Sequence, residues 1–144
     1  MAYNVIWVGP ADGANHKPLT VEGTAGASTL PGTLVAQSGD AINKSDNDGT
    51  TASRLLLARE IGEQFGKKIT DAIASGDHIV AVAPRSGEFF NVCVAATQTI
   101  VVGDALTSNG DGTFKKAGAA DAVYCYAQVA SAGAAKNSLL LATV

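Results

Sequence analysis

Charged residues make up only 16% of this 144-residue chain and aromatic residues 6%, with two cysteines, two histidines, one tryptophan and one methionine. Each shortage removes a class of function. Ten basic residues stand against thirteen acidic ones, for a formal charge of −3, and the basic ones are scattered apart from Lys67-Lys68 and Lys115-Lys116. Binding to nucleic acid calls for a basic stripe that displaces counterions from phosphates, so no nucleic-acid partner is expected. No apolar run reaches the roughly 18 residues of a spanning helix, and the opening MAYNVIWVGPADG lacks the basic start and long apolar core of a signal peptide. No membrane partner is expected, and the chain is read as made in the cytoplasm. Cys93 and Cys125 sit inside strand-like apolar runs, where free thiols behave as small hydrophobes.

The residues that carry chemistry do not fall into any working arrangement. His16 is isolated, and His78 follows Asp77 at the start of a strand, where neighbouring residues point to opposite faces and cannot form a triad. The cysteines and histidines lack the paired ligand spacing of zinc. Asp46-Asn47-Asp48-Gly49 and Asn109-Gly110-Asp111-Gly112 resemble calcium loops but miss the required ligand positions, and turn chemistry accounts for both. Gly23-Thr24-Ala25-Gly26 lacks the ending of a phosphate-binding loop. The chain is therefore read as not an enzyme, with no catalytic residue, cofactor or metal assigned.

What is present is apolar and regularly interrupted. The composition is 47% hydrophobic, mostly Ala, Val, Leu and Ile, and sixteen glycines and four prolines are spread along the chain. Such punctuation predicts a mainly β fold with little helix, a compact antiparallel barrel or sandwich. Ile100 to Ala117, IVVGDALTSNGDGTFKKA, spells out a hairpin: apolar residues lead in and out, and Asn109-Gly110-Asp111-Gly112 tolerates the positive φ of a tight loop. A glycine followed by Asp or Thr starts a strand at Gly32-Thr33, Gly76-Asp77 and Gly103-Asp104, so Asp104 and Asp111 read as turn formers. Further strands are expected over His78 to Ala83, Glu88 to Ala96, Ala122 to Ala130 and Ser138 to Val144, the last covered on both faces. Leu55, Leu56, Leu57 and Ile61 would also suit a helix, but Gly62 and Gly66 cut that segment short, so a strand over Arg54 to Glu60 is favoured. Ile69 to Ala74 is left between one helical turn and a loop. Tyr124 and Tyr126 share one strand face and are expected to pack together against another layer.

Residues 1–28 have no periodicity capable of forming a core. They are read as an extended N-terminal arm preceding a single β-rich domain over 29–144, with an ordinary edge strand as the even alternative. If the arm docks on a partner, Tyr3, Ile6 and Trp7 are its anchors, because buried aromatics dominate interface energetics.

Taken in order, Gly76-Asp77-His78-Ile79-Val80, Ala83-Pro84-Arg85-Ser86-Gly87-Glu88-Phe89-Phe90-Asn91 and Gly103-Asp104-Ala105-Leu106-Thr107-Ser108-Asn109-Gly110-Asp111-Gly112-Thr113-Phe114 resemble the head-decoration, or capsid cement, proteins of tailed bacteriophages. The resemblance spans residues 54–130. It implies a structural virion protein on the exterior of the shell, bound to the major capsid protein and to copies of itself as a homotrimer, resisting the pressure of packaged DNA. The last strand departs from the pattern in carrying no charge, and the first 50 residues match nothing in it. A different function class, a β-sandwich module binding surface glycans, would use exposed aromatics such as Trp7, Tyr124 and Tyr126.

Overall fold

The computed structural model describes residues 5–10, 17–61 and 66–144, and these form strands and turns with no helix among them. Five strands make the central ring: β7 (Glu88–Val94), β9 (Ala105–Ser108), β10 (Phe114–Lys116), β11 (Cys125–Ala127) and β13 (Ser138–Thr143). Antiparallel pairing runs from β10 to β9, β11, β13 and back to β7, and a parallel contact of Phe114 with Val94 closes a five-stranded barrel. Closure removes the exposed edges that an open sheet of this apolar composition would present. Alternation along β7 sends Phe90, Val92 and Val94 into the barrel with Leu106, Phe114 and Leu140.

A second sheet runs β3 (Val35–Ser38), β4 (Ala41–Lys44), β2 (Leu19–Ala25), β6 (His78–Ala83) and β5 (Leu57–Ala58). It encloses a smaller core that includes Ile42, Ile73 and Ile79. The two cores share a seam. Leu34 and Leu57 form a bridge pair and point into the barrel core, while their neighbours Val35, Leu56 and Ala58 point into the smaller one. Backbone bonds from Val35 N–H to Leu56 O (2.9 Å) and from Ala58 N–H to Thr33 O (3.0 Å) hold the seam together. A short ribbon of β8 (Thr99–Ile100) and β12 (Ser131–Ala132) completes the fold.

The mainly β class and the barrel agree with the sequence expectation, and β6 has the expected bounds. Elsewhere the structure differs in informative ways. Within 1–28, the described residues include two paired strands: β1 (Trp7–Pro10) is an edge strand on β7, and β2 lies between β4 and β6. The described part of the expected arm is thus built into both sheets. The hairpin is β9–β10, in register Ser108↔Phe114, and its incoming strand starts only at Ala105. Asp104 Oδ2 accepts the Val101 N–H at 2.9 Å, and the chain reverses there, leaving Val101 and Val102 55% and 65% exposed. The strand expected over 54–60 shrinks to β5, and 69–74 is a loop carrying the Thr29↔Ile73 bridge. Tyr124 and Tyr126 do not share an environment. Tyr124 precedes β11, is buried, and packs edge-on against Phe114 at 6.2 Å, whereas Tyr126 is 47% exposed.

Gly112 shows how closely the hairpin fits the smaller sheet. Its φ is +87°, its carbonyl accepts the Leu34 N–H at 2.8 Å, and a Cβ there would lie 2.4 Å from Thr33 Cγ2. Gly103, with φ +90°, has nothing within 4 Å of that position. Gly103→Ala should therefore cost only the backbone penalty of about 1–2 kcal/mol. Gly112→Ala adds overpacking to the same penalty, for a total of about 2–5 kcal/mol. Urea unfolding midpoints of the two variants check the difference.

Candidate interaction surface

The residues singled out as partner anchors turn out to be held inside this chain. Ile6 is fully buried in the barrel core, donates its N–H to Glu60 Oε2 at 2.9 Å and accepts the Asn91 N–H at 2.8 Å. The Asn91 side chain donates to Val5 O at 2.8 Å. Trp7 is half-buried, and its indole N–H donates to Glu88 Oε2. Glu88, only 1% exposed, also accepts the Arg85 N–H on Oε1 at 2.9 Å, and its carbonyl accepts from Thr143 Oγ1 at 2.8 Å. Two carboxylates and one amide therefore pin the strand, since a buried carboxylate is tolerated when donors surround it. Tyr3 lies outside the described residues. Glu60, Glu88 and Asn91 were not foreseen in this role; the available signal was a Glu and an Asn inside the otherwise apolar run Glu88 to Val94.

The acidic turn residues are locally engaged. Asp48 is held below the usual carboxylate range by the Thr50 N–H at 3.0 Å and the Thr50 hydroxyl at 2.8 Å. Asp104 is lowered by the Val101 N–H and by Lys116, whose Nζ lies 3.0 Å away. Burial pushes Asp111 up, but the Thr113 hydroxyl and N–H outweigh it and the net shift is downward. The fold brings the two calcium-like runs side by side, with Ser108 Oγ donating to Asn47 O. Among the described residues there is no group of three or more His, Cys, Asp or Glu placed to hold a metal ion. His78 is exposed at the start of β6, and His16 lies outside the described residues. Both cysteines are free and buried, and desolvation pushes Cys93 up to about 11 and Cys125 up to about 12.

What remains for recognition is surface. Register places Ala105, Tyr126, Thr143 and Phe89 in one cross-strand row on the outer face of the barrel. Val144, 41% exposed, follows Thr143, and the Val101-Val102 turn joins β11 through a Gly103 N–H bond to Ala127 O of 2.8 Å. On the other sheet, an open groove of about 370 Å³ has Val35 and Leu56 on its walls, along with Gln37, Asp46, Asn47 and Arg54.

No protein-family model matches the chain, and no curated protein matches it. Among solved structures, the fold is similar to that of the head fiber gp8.5 N base in bacteriophage phi29, with a TM-score of 0.57 and 19% sequence identity. The match covers 89% of this chain and 94% of that one. At this identity the likeness is one of fold.

Two outcomes follow from the buried groups. Glu88→Ala leaves the Arg85 amide and the Trp7 indole without that carboxylate, so it should cost about 2–4 kcal/mol in urea unfolding. Trp7 is the only tryptophan in the chain. Its emission should therefore shift to the red in the same variant, reporting release of β1. The raised thiols of Cys93 and Cys125 should leave the native protein unreactive toward a thiol-specific chromogenic disulfide at neutral pH, with both reacting once denaturant is added.

Proposed function

We propose that this chain is a structural protein of a bacteriophage virion, bound as a decoration or cement protein to the outside of the major capsid shell. The observation that carries the reading is the whole-length likeness of fold to a phage head fiber base, over 89% of this chain. The Gly-Asp strand starts and the β9–β10 hairpin, which resemble those of head-decoration proteins, support the same reading. On this reading the chain acts through surface and symmetry, as a homotrimer whose repeated weak contacts add up to firm attachment. An acidic net charge of −3 suits a position outside a DNA-filled shell better than one lining it.

With Ile6 and Trp7 engaged internally, the exposed apolar groups among the described residues include Val101, Val102 and Tyr126, which lie close together around β11 and are taken as the capsid contact. Purified protein mixed with DNA-emptied capsids of its phage should co-sediment with them. Cryo-electron microscopy of those particles should show projections at local three-fold positions. Val102→Asp combined with Tyr126→Asp should keep the fold and weaken binding on the order of 10-fold or more, as expected for loss of central apolar contacts. Capsids that remain bare at saturating protein would overturn the reading.

A further inference from the structure

Three steps from Asn or Asp to Gly lie among the described residues: Asp48–Gly49, Asn109–Gly110 and Asp111–Gly112. At such a step the glycine amide nitrogen, unshielded by a Cβ, can attack the preceding side-chain carbonyl carbon and close a five-membered imide. The structure separates the three. At Asp48 the carboxylate accepts two bonds from Thr50, and the Gly49 N–H is occupied by Asn47 Oδ1 at 2.8 Å. At Asp111 the carboxylate is gripped by the Thr113 N–H at 3.0 Å and by its hydroxyl. Both are ionised carboxylates, which are poor electrophiles.

Asn109 differs from both in the chemistry of its side chain and in the freedom of the glycine that follows it. It is an exposed neutral amide whose Nδ2 makes a long 3.4 Å contact with Thr113 Oγ1 and whose side chain also hydrogen-bonds the Asp111 carboxylate. The Gly110 N–H has no hydrogen-bond partner among the described residues. The space beside Gly110 is open, with Asp48 Cα the nearest atom to a notional Cβ at 3.8 Å.

We propose that Asn109 is a site of spontaneous deamidation in the folded protein. The Gly110 nitrogen bonds to Asn109 Cγ as the Cγ–Nδ2 bond breaks, and ammonia leaves carrying the proton given up by Gly110. Water then opens the imide at one carbonyl or the other, leaving aspartate or isoaspartate. The formal charge falls from −3 to −4 through this single conversion. The new carboxylate shares a loop with Asp111, and the neighbouring Gly110 lies beside Asp48. Isoaspartate also lengthens the backbone of the loop that sets the Ser108↔Phe114 register. The same hairpin grips the smaller sheet, through Ser108 Oγ on Asn47 O and Gly112 O on the Leu34 N–H. Ageing at Asn109 therefore loosens the junction between the two cores.

The test holds the native protein in warm, mildly alkaline buffer and follows it by peptide mapping and by labelling with an isoaspartyl methyltransferase, beside a urea-unfolded sample. One acidic species should accumulate, mapped to Asn109 and labelled by the transferase, at a rate comparable to that of the unfolded chain. Asn109→Gln should lose that species, and aged wild type should unfold at a lower urea midpoint than the equally aged variant. Conversion many-fold slower in the native than in the unfolded protein, or matched at Asn47 or Asn137, would overturn the proposal. The mapping uses the unaltered protein, so it decides the site even if Asn109→Gln does not fold.

Discussion

The pairing of β7 with β13 is the constraint on which the rest of the structure depends. Six residue pairs, from Ser138↔Val94 to Thr143↔Phe89, convert a curved sheet into a ring and bury Phe90 and Val92 on its inside. A ring of five strands is narrow, so large side chains need small ones across from them. The register supplies this: Ala142 lies opposite Phe90 on one side and Ala127 on the other. Because β7 gives one edge to β13, its other edge is free for β1 at one end and β10 at the other. The strand is thus paired along both sides, and Asn91 and Cys93, on its outer face, are as buried as the residues inside.

The second sheet depends on the barrel through the seam at Thr33–Val35 and Leu56–Ala58. Strand alternation gives Leu34 and Leu57 to one core and their neighbours to the other, so the same backbone serves as a wall of both. Backbone must come very close for this to work. Gly112 and Gly32 provide the approach, each with positive φ and each with atoms of the opposing element nearer than a Cβ would tolerate. The glycines at exposed turns, such as Gly76, Gly87 and Gly103, answer only to the backbone. Glycine therefore has two uses here, reversal at the surface and close approach at the seam.

This division explains what could be read from the sequence. Turn glycines and period-two alternation are local signals, and they placed β6, β7, β9–β10 and β13 and gave the β class. Ring closure is set by the pairing of strands distant in sequence, so a barrel and a sandwich remained equal until β13 was seen to pair with both β7 and β11. The N-terminal stretch looked incapable of a core because it has none of its own: Ile6 uses the barrel's, and Ala25 uses that of the smaller sheet. Leu55 to Ala58 suited a helix as well as the favoured strand for a related reason. A strand with a core on each side is apolar at every position and shows no alternation. For the candidate surface, the rare Trp7 stands out in the sequence, but the Glu88 carboxylate that holds it within the chain is reached only through the fold.

That last point bears on how such a molecule can attach to anything. Its tryptophan is paired with the buried Glu88 carboxylate, and its thiols are buried and held protonated. The exposed apolar groups are mostly valines at turns and strand ends, with Tyr126 as the large one among them. Single valines of this kind bury little area apiece, so one copy on its own surface would bind weakly. For the proposed place on a capsid the lattice supplies the remedy, since a symmetric array presents the same shallow contact many times and tethered copies rebind before they escape. Rigidity then matters more than any one contact, because an ordered surface loses little conformational entropy on docking. The closed ring, the shared seam and the carboxylate-pinned β1 all provide that rigidity.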